Sequence, residues 1–297
     1  MLNRRDWLLA GGAALGAAAL PAGWLAAADL PRRKVLMFTR SAGFEHGCIR
    51  RKDDALSHAE RVFTELGAEN QLDVTATKDG TIFDEDLDRF DAFFFYTTGD
   101  LTREKKNEAP PMSADGKQRF LDAIAAGKGF IASHCGTDTF HSPGHGSASR
   151  EEQEERDPYI AMVGGEFISH GPQQESRMVV ASPGFPGTDG LGEDFTLLDE
   201  WYSLKNFADD LHVILAQDTQ GMEGRDYERP AYPATWARRH HDGRVFYTSM
   251  GHREDVWTNP LFQTLLLGGL RFATGDAEAD VEPNMASVTP GARVMPP

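Results

Sequence analysis

Basic residues are in short supply: 30 Lys and Arg stand against 46 Asp and Glu, leaving a net charge of −16. So acidic a chain repels nucleic acid and anionic membrane surfaces, and it accepts a neutral or cationic ligand more easily than a polyanion. Cysteine is scarcer still. Cys48 and Cys135 allow one disulfide in an oxidising compartment, and equally two free thiols. No tight ligand motif such as H-E-x-x-H occurs, so spacing alone announces no metal. Internal repeats and a domain linker are also missing. The apolar, Ala/Gly-rich run that ends at Leu20 is not a membrane span. It follows Arg4-Arg5-Asp6-Trp7-Leu8-Leu9, and Ala26-Ala27-Ala28 offers a cleavage site before Asp29. Residues 1–28 therefore read as a twin-arginine export signal, the alternative being an uncleaved anchor. The expected location is the periplasm or exterior of a bacterium, without stable membrane insertion once the signal is cleaved.

What remains is rich enough to fold. Hydrophobic content of 40% and aromatic content of 10% supply a core. Val35–Thr39 reads as a strand, followed by a polar loop to His46. Leu56, Ala59, Val62, Phe63 and Leu66 recur at helical spacing up to Gly67. Leu72–Thr77 alternates as a strand, and 83–90 reads as a short helical or turn segment. Ala92–Tyr96 is a continuous apolar run, as in a strand buried on both faces. A helix near 113–126 precedes Gly129–Ala132, whose apolar run ends abruptly in Ser133-His134-Cys135-Gly136-Thr137-Asp138. This order predicts an α/β fold: a mostly parallel sheet with helices on both faces. Its polar strand tips lie at the carboxyl edge, where open α/β sheets bind ligands.

The second half is less regular. Residues 141–157 read as a mobile loop and 158–163 as a short helix. Strands are expected at 177–181, 196–198, 213–216, 234–239 and 245–249, some of them antiparallel. Pro260–Thr274 reads as a closing helix, and 275–297 as a poorly ordered tail.

An ordered set of motifs adds to this. Gly43-Phe44-Glu45-His46, Tyr96–Leu101, Gly127–Thr139, Val163–Phe167 with His170, Asp199–Tyr202, Pro233–Trp236, Gly243–Tyr247 and Gly251-His252 together resemble the ThuA-like (trehalose utilisation) family over residues 34–274. The resemblance implies a flavodoxin-like, class I glutamine amidotransferase-like fold. It also implies a role in catabolism of sugars or sugar derivatives, often beside oxidoreductases that make 3-keto sugars. In the amidotransferases a cysteine nucleophile occupies the strand-to-helix elbow; in ThuA-like proteins that place is held by His, here His134.

The residue chemistry then gives candidates. His134 at the elbow is suited to acid/base work or metal ligation, or to bonding neighbouring carbonyls as a structural group. Cys135 lies one residue past the elbow, which turns it away from the nucleophile's place. His46, His170 and His252 sit in loops beside glycine and form, with His134, a candidate set for Zn²⁺ or Mn²⁺. Asp138 is expected to orient His134 or to cap the following turn. Glu200 beside Trp201 and Tyr202 is a sugar-site combination, or else a surface acid beside core aromatics. Thr98, Tyr202 and His252 are the expected substrate contacts. His141 and His145, four apart, read as solvated loop residues, the alternative being adventitious metal binding; Trp236 and Trp257 read as packing, and Arg244 as an internal ion pair, the alternative being a bidentate clamp for a carboxylate ligand. The expected function is an exported enzyme that cleaves or rearranges a sugar derivative, such as a 3-keto-glycoside, with His134, Glu200 and Asp138 as its catalytic groups. The alternatives are a non-catalytic sugar-binding protein and an amidotransferase-like cysteine hydrolase.

Overall fold

The computed structural model describes residues 31–106, 108–145 and 150–297. The expected export signal lies outside them. Among the described residues no helix is long and apolar enough to cross a membrane.

The strands are β1 (Arg33–Phe38), β2 (Leu72–Thr77), β3 (Ala92–Phe95), β4 (Gly129–Ser133), β5 (Glu166–His170), β6 (Gln174–Val180), β7 (Asp194–Asp199), β8 (Tyr202–Lys205), β9 (His212–Asp218), β10 (Tyr232–His240) and β11 (Gly243–Thr248). The helices are α1 (His58–Glu69), α2 (Ala114–Ala125), α3 (Pro158–Val163), α4 (Glu254–Trp257), α5 (Pro260–Thr274) and α6 (Met285–Val288). Nine strands form one sheet in the order β2-β1-β3-β4-β11-β10-β9-β6-β7. The half from β2 to β11 is parallel, and the half beyond β11 is antiparallel. The parallel half carries helices on both faces, as expected from the alternation of strand and helix.

The apolar run of β3 shows how. Its side chains alternate across the sheet. Phe93 and Phe95 meet Phe120 of α2 on one face, while Phe94 meets Phe63 of α1 and Trp257 of α4 on the other. All of these rings are buried. A strand covered on both faces cannot alternate polar with apolar, hence its unbroken hydrophobic sequence.

Two regions differ from expectation. Residues 166–170, to which the sequence reading gave no element, form β5, which pairs with β8 in a separate two-stranded ribbon. The bulk of this ribbon's pairing is non-local, and local periodicity carries no trace of it. Residues 275–297, expected as a poorly ordered tail, pack on the body. Asn284 bonds β9 through Val213 N to its Oδ1 (2.6 Å) and its Nδ2 to Val213 O (3.1 Å), and Met285 and Ala292 are buried. The two cysteines, for which the sequence left both a bridge and free thiols open, are free and buried.

Candidate functional site

The carboxyl ends of β1, β3, β4 and β11 meet at one crevice, where the antiparallel part of the chain closes over them. β4 delivers its next residue, His134, in the left-handed region at φ +46°. A non-glycine residue there is strained and persists only when its surroundings over-determine it. They do: Tyr247 Oη donates to the His134 carbonyl (2.8 Å) and Thr137 Oγ1 reinforces it (3.3 Å). The elbow expected from the sequence is thus present, with a histidine on it.

The His134 side chain is fully buried. Its Nδ1 lies 3.1 Å from Ser249 O. A carbonyl can only accept, so Nδ1 carries a proton and Nε2 is the nitrogen left to meet the other groups. Nε2 faces His252 Nδ1 at 3.3 Å and Glu200 Oε1 at 3.6 Å, and Glu200 Oε1 lies 3.1 Å from His252 Nδ1. His46, at the end of the loop after β1, closes the group. The rings of His46, His134 and His252 form a nearly equilateral triangle with centroids 5.0–5.2 Å apart and planes close to perpendicular. Burial, and then the neighbouring His134 and His252, push His46 down to about 2, so it is neutral. Its Nε2 lies 3.3 Å from Tyr202 Oη, and its buried Nδ1 has no hydrogen-bond partner among the described residues.

These four residues fit a divalent cation. Each offers one ligand atom, and the four atoms lie within 4.8 Å of one another. Donors about 2.0–2.1 Å from a tetrahedral Zn²⁺ are separated by roughly 3.4 Å; the three donor pairs measured above span 3.1–3.6 Å. The supporting bond from His134 Nδ1–H to a backbone carbonyl is the outer-shell contact that fixes a metal-binding imidazole. Burial alone would raise the Glu200 pKa. The bonds and charges of His134 and His252 outweigh it and hold the carboxyl well below the usual carboxylate range.

Two supports escaped sequence reasoning. Asp199 is buried and accepts from Gly251 N (2.7 Å) and Arg253 N (3.1 Å), so it pins the loop that carries His252. Gly251 sits at φ +120°, where a Cβ would come within 2.7 Å of Ser133 Oγ; only glycine suits that turn. Phe44 stands 66% exposed with its ring 5.1 Å from His46. An exposed aromatic beside polar groups was the available signal.

The expected roles are redistributed. Tyr202 is buried, its ring wedged 4.1 Å from both His134 and Phe167; it props the histidines and presents no face to a ligand. Trp201 is likewise core, its Nε1 donating to Gln174 O. Thr98 is buried and donates to Phe44 O (2.8 Å), holding the loop below Phe44. Asp138 does not orient His134; its Oδ1 lies 2.9 Å from His141 Nε2. His170 is outside the four-residue group. It is about 43% exposed at the rim, with Nδ1 3.4 Å from the other Glu200 oxygen, Oε2. Glu200, rather than His170, completes the four-residue group with His46, His134 and His252. Cys135 is fully buried, and burial raises its thiol pKa well above the ordinary value, which leaves no thiolate for a hydrolase. Arg244 pairs with Glu278 at 2.7 Å, as expected.

A family model described as ThuA, trehalose utilisation, matches residues 34–273. The chain belongs to the ThuA family. It is similar in fold to a ThuA-like protein of Parabacteroides merdae ATCC 43184, with TM-score 0.57 and 16% identity over 84% of this chain and 92% of that one. A ThuA-like protein of Bacteroides uniformis ATCC 8492 gives TM-score 0.58 and 16% identity over 87% and 97%. No curated protein sequence matches the chain. At these identities the two ThuA-like structures speak to the fold alone.

Proposed function

We propose that this ThuA-family protein is an exported enzyme that cleaves or rearranges a sugar derivative, such as a 3-keto-glycoside, at a divalent-cation centre held by His46, His134, Glu200 and His252. The observation that carries the proposal is the spacing of His134 Nε2, His252 Nδ1 and Glu200 Oε1, 3.1–3.6 Å apart, with His134 Nδ1 committed to Ser249 O. The carbohydrate comes from the family's description, trehalose utilisation, and the export from the Arg4-Arg5 motif.

A bound Zn²⁺ or Mn²⁺ would polarise a substrate carbonyl as a Lewis acid. The remaining work falls to side chains. Because His134 is buried, it serves as a ligand and not as the proton carrier. His170 at the rim is placed for that task. Its Nδ1–H donates to Gly171 O (3.0 Å), so Nε2 is free to accept a proton. A keto group acidifies the neighbouring C–H. His170 takes that proton, the C–H electrons form a C=C bond, the glycosidic C–O bond breaks, and the proton passes to the departing oxygen. Phe44 offers a face for the apolar side of the ring.

The test is incubation of the protein with 3-keto-glycosides, before and after chelation, with chromatography of the products. Release of the aglycone that chelation abolishes supports the proposal. Saturable binding without product would make the chain a sugar-binding protein, and turnover indifferent to chelation would reduce the centre to acid/base chemistry.

A further inference from the structure

A second cluster lies on the loop that was expected to be solvated. His141 and His145 stack face to face, 3.7 Å between centroids at 7°. Both direct Nδ1 at one oxygen of Glu166, Oε1, at 3.2 and 3.0 Å. Glu166 is fully buried at the start of β5. Its oxygens are further held by Ser142 N (3.0 Å), Ser142 Oγ (2.7 Å) and Asn206 Nδ2 (2.6 Å). His141 turns its other nitrogen to Asp138 Oδ1 at 2.9 Å.

Hydrogen bonding alone does not complete this cluster. A doubly protonated His141 satisfies Asp138 and Glu166. His145 Nδ1 then remains: buried, 3.0 Å from Glu166 Oε1, yet in a geometry that makes no hydrogen bond, and with no other partner among the described residues. A cation between the three groups accounts for both close approaches. The donor–donor distances of 3.0–3.2 Å approach the spacing of roughly 3.4 Å expected around Zn²⁺. Each of the three residues offers one ligand atom, within 4.8 Å of the others. The outer contacts also match: a carboxylate on the far nitrogen of a ligating histidine, and donors on the ligating carboxylate.

We infer that His141, His145 and Glu166 form a second divalent-cation site, distinct from the crevice centre, with Asp138 as the positioning residue of His141. Two nitrogens and one oxygen leave the fourth position of a tetrahedral ion open. His141, Ser142 and His145 line a cavity of about 720 Å³, together with Lys105, Lys117 and Asp157, so two of the three ligands border space a small ligand can enter. The ion would tie the 141–145 loop to β5 and, through Glu166 and Asn206, to the residues after β8.

The test is calorimetric titration of the metal-stripped full chain with Zn²⁺, alongside His145→Ala, Asp138→Asn and His134→Ala. The inference predicts that His145→Ala binds one equivalent fewer than the wild type and loses part of the Zn²⁺-dependent rise in melting temperature. Asp138→Asn should keep the stoichiometry and weaken one site about 10–100-fold, the usual consequence of removing an outer-shell partner. Wild-type stoichiometry and melting response in His145→Ala would overturn it. A single wild-type equivalent lost in His145→Ala but kept in His134→Ala would support this site and reject the crevice centre. A single equivalent lost only in His134→Ala would do the reverse. Circular dichroism of the three metal-free variants separates lost binding from lost folding.

Discussion

Position 134 holds the contradiction on which the site turns. A histidine is forced into a left-handed backbone conformation, yet its ring is buried, where an amidotransferase-like nucleophile would need access. Burial together with a committed Nδ1–H suits a ligand better than a base. The same burial disposes of the neighbouring thiol. Cys135→Ala should fold and keep wild-type turnover, and the native protein should resist iodoacetamide until it is denatured. A loss of turnover in Cys135→Ala with the fold intact would reopen the hydrolase reading. At this scale the sequence was informative about which residue types converge, since His46, His134, Glu200 and His252 were all singled out. It was uninformative about their roles. Whether Asp138 serves His134 or His141, and whether Tyr202 faces a ligand or a core, depends on side-chain directions set by non-local packing.

Helix α1 shows how an element holds the crevice. Ser57 caps it, and Glu60 reaches back to Ser57 N (2.8 Å), completing a capping box. Glu60 is buried and also receives Arg51 (2.8 and 2.9 Å) and Thr39 Oγ1 (2.5 Å), so it ties the end of β1 and the loop beyond His46 to the helix. Burial alone would raise its pKa. Arg51, Thr39 and Ser57 outweigh it and hold it below the ordinary value. A depressed carboxyl stabilises the fold above its unfolded pKa of about 4.3, and that stabilisation is lost as pH falls through the lower folded value. Glu60→Ala should cost about 3–5 kcal/mol, because it strands a partly buried guanidinium. Denaturant titration at neutral pH checks the cost. Repeating it between pH 5 and 3 should show a shallower acid slope in the variant than in the wild type. The capping box and the β3 run could be read locally. The β5–β8 ribbon could not, since its partners are 32–39 residues apart in sequence and bulged.

For the whole molecule, the alternation of helix and strand was sufficient for the parallel half, and the strands read at 177–181, 213–216, 234–239 and 245–249 fall in the same sheet. The C-terminal segment is where composition misled. Its Pro and Gly content suggests disorder, but Asn284 completes the hydrogen bonding of Val213, and Arg229 donates to the carbonyl of Ala292. Asn284→Ala should destabilise the protein by about 1–3 kcal/mol, since it leaves the buried Val213 N–H unpaired; urea unfolding measures this. The net charge of −16 is compatible with two cation sites, each built on a carboxylate that its neighbours keep ionised. The whole account nevertheless rests on the crevice acting through its ion. The most direct measurement is kcat/KM for a 3-keto-glycoside, compared between wild type, wild type after chelation and re-addition of Zn²⁺ or Mn²⁺, and His134→Ala. The account predicts loss on chelation, recovery on re-addition, and no recovery in a folded His134→Ala protein. Undiminished turnover by metal-free wild type or by His134→Ala would contradict it.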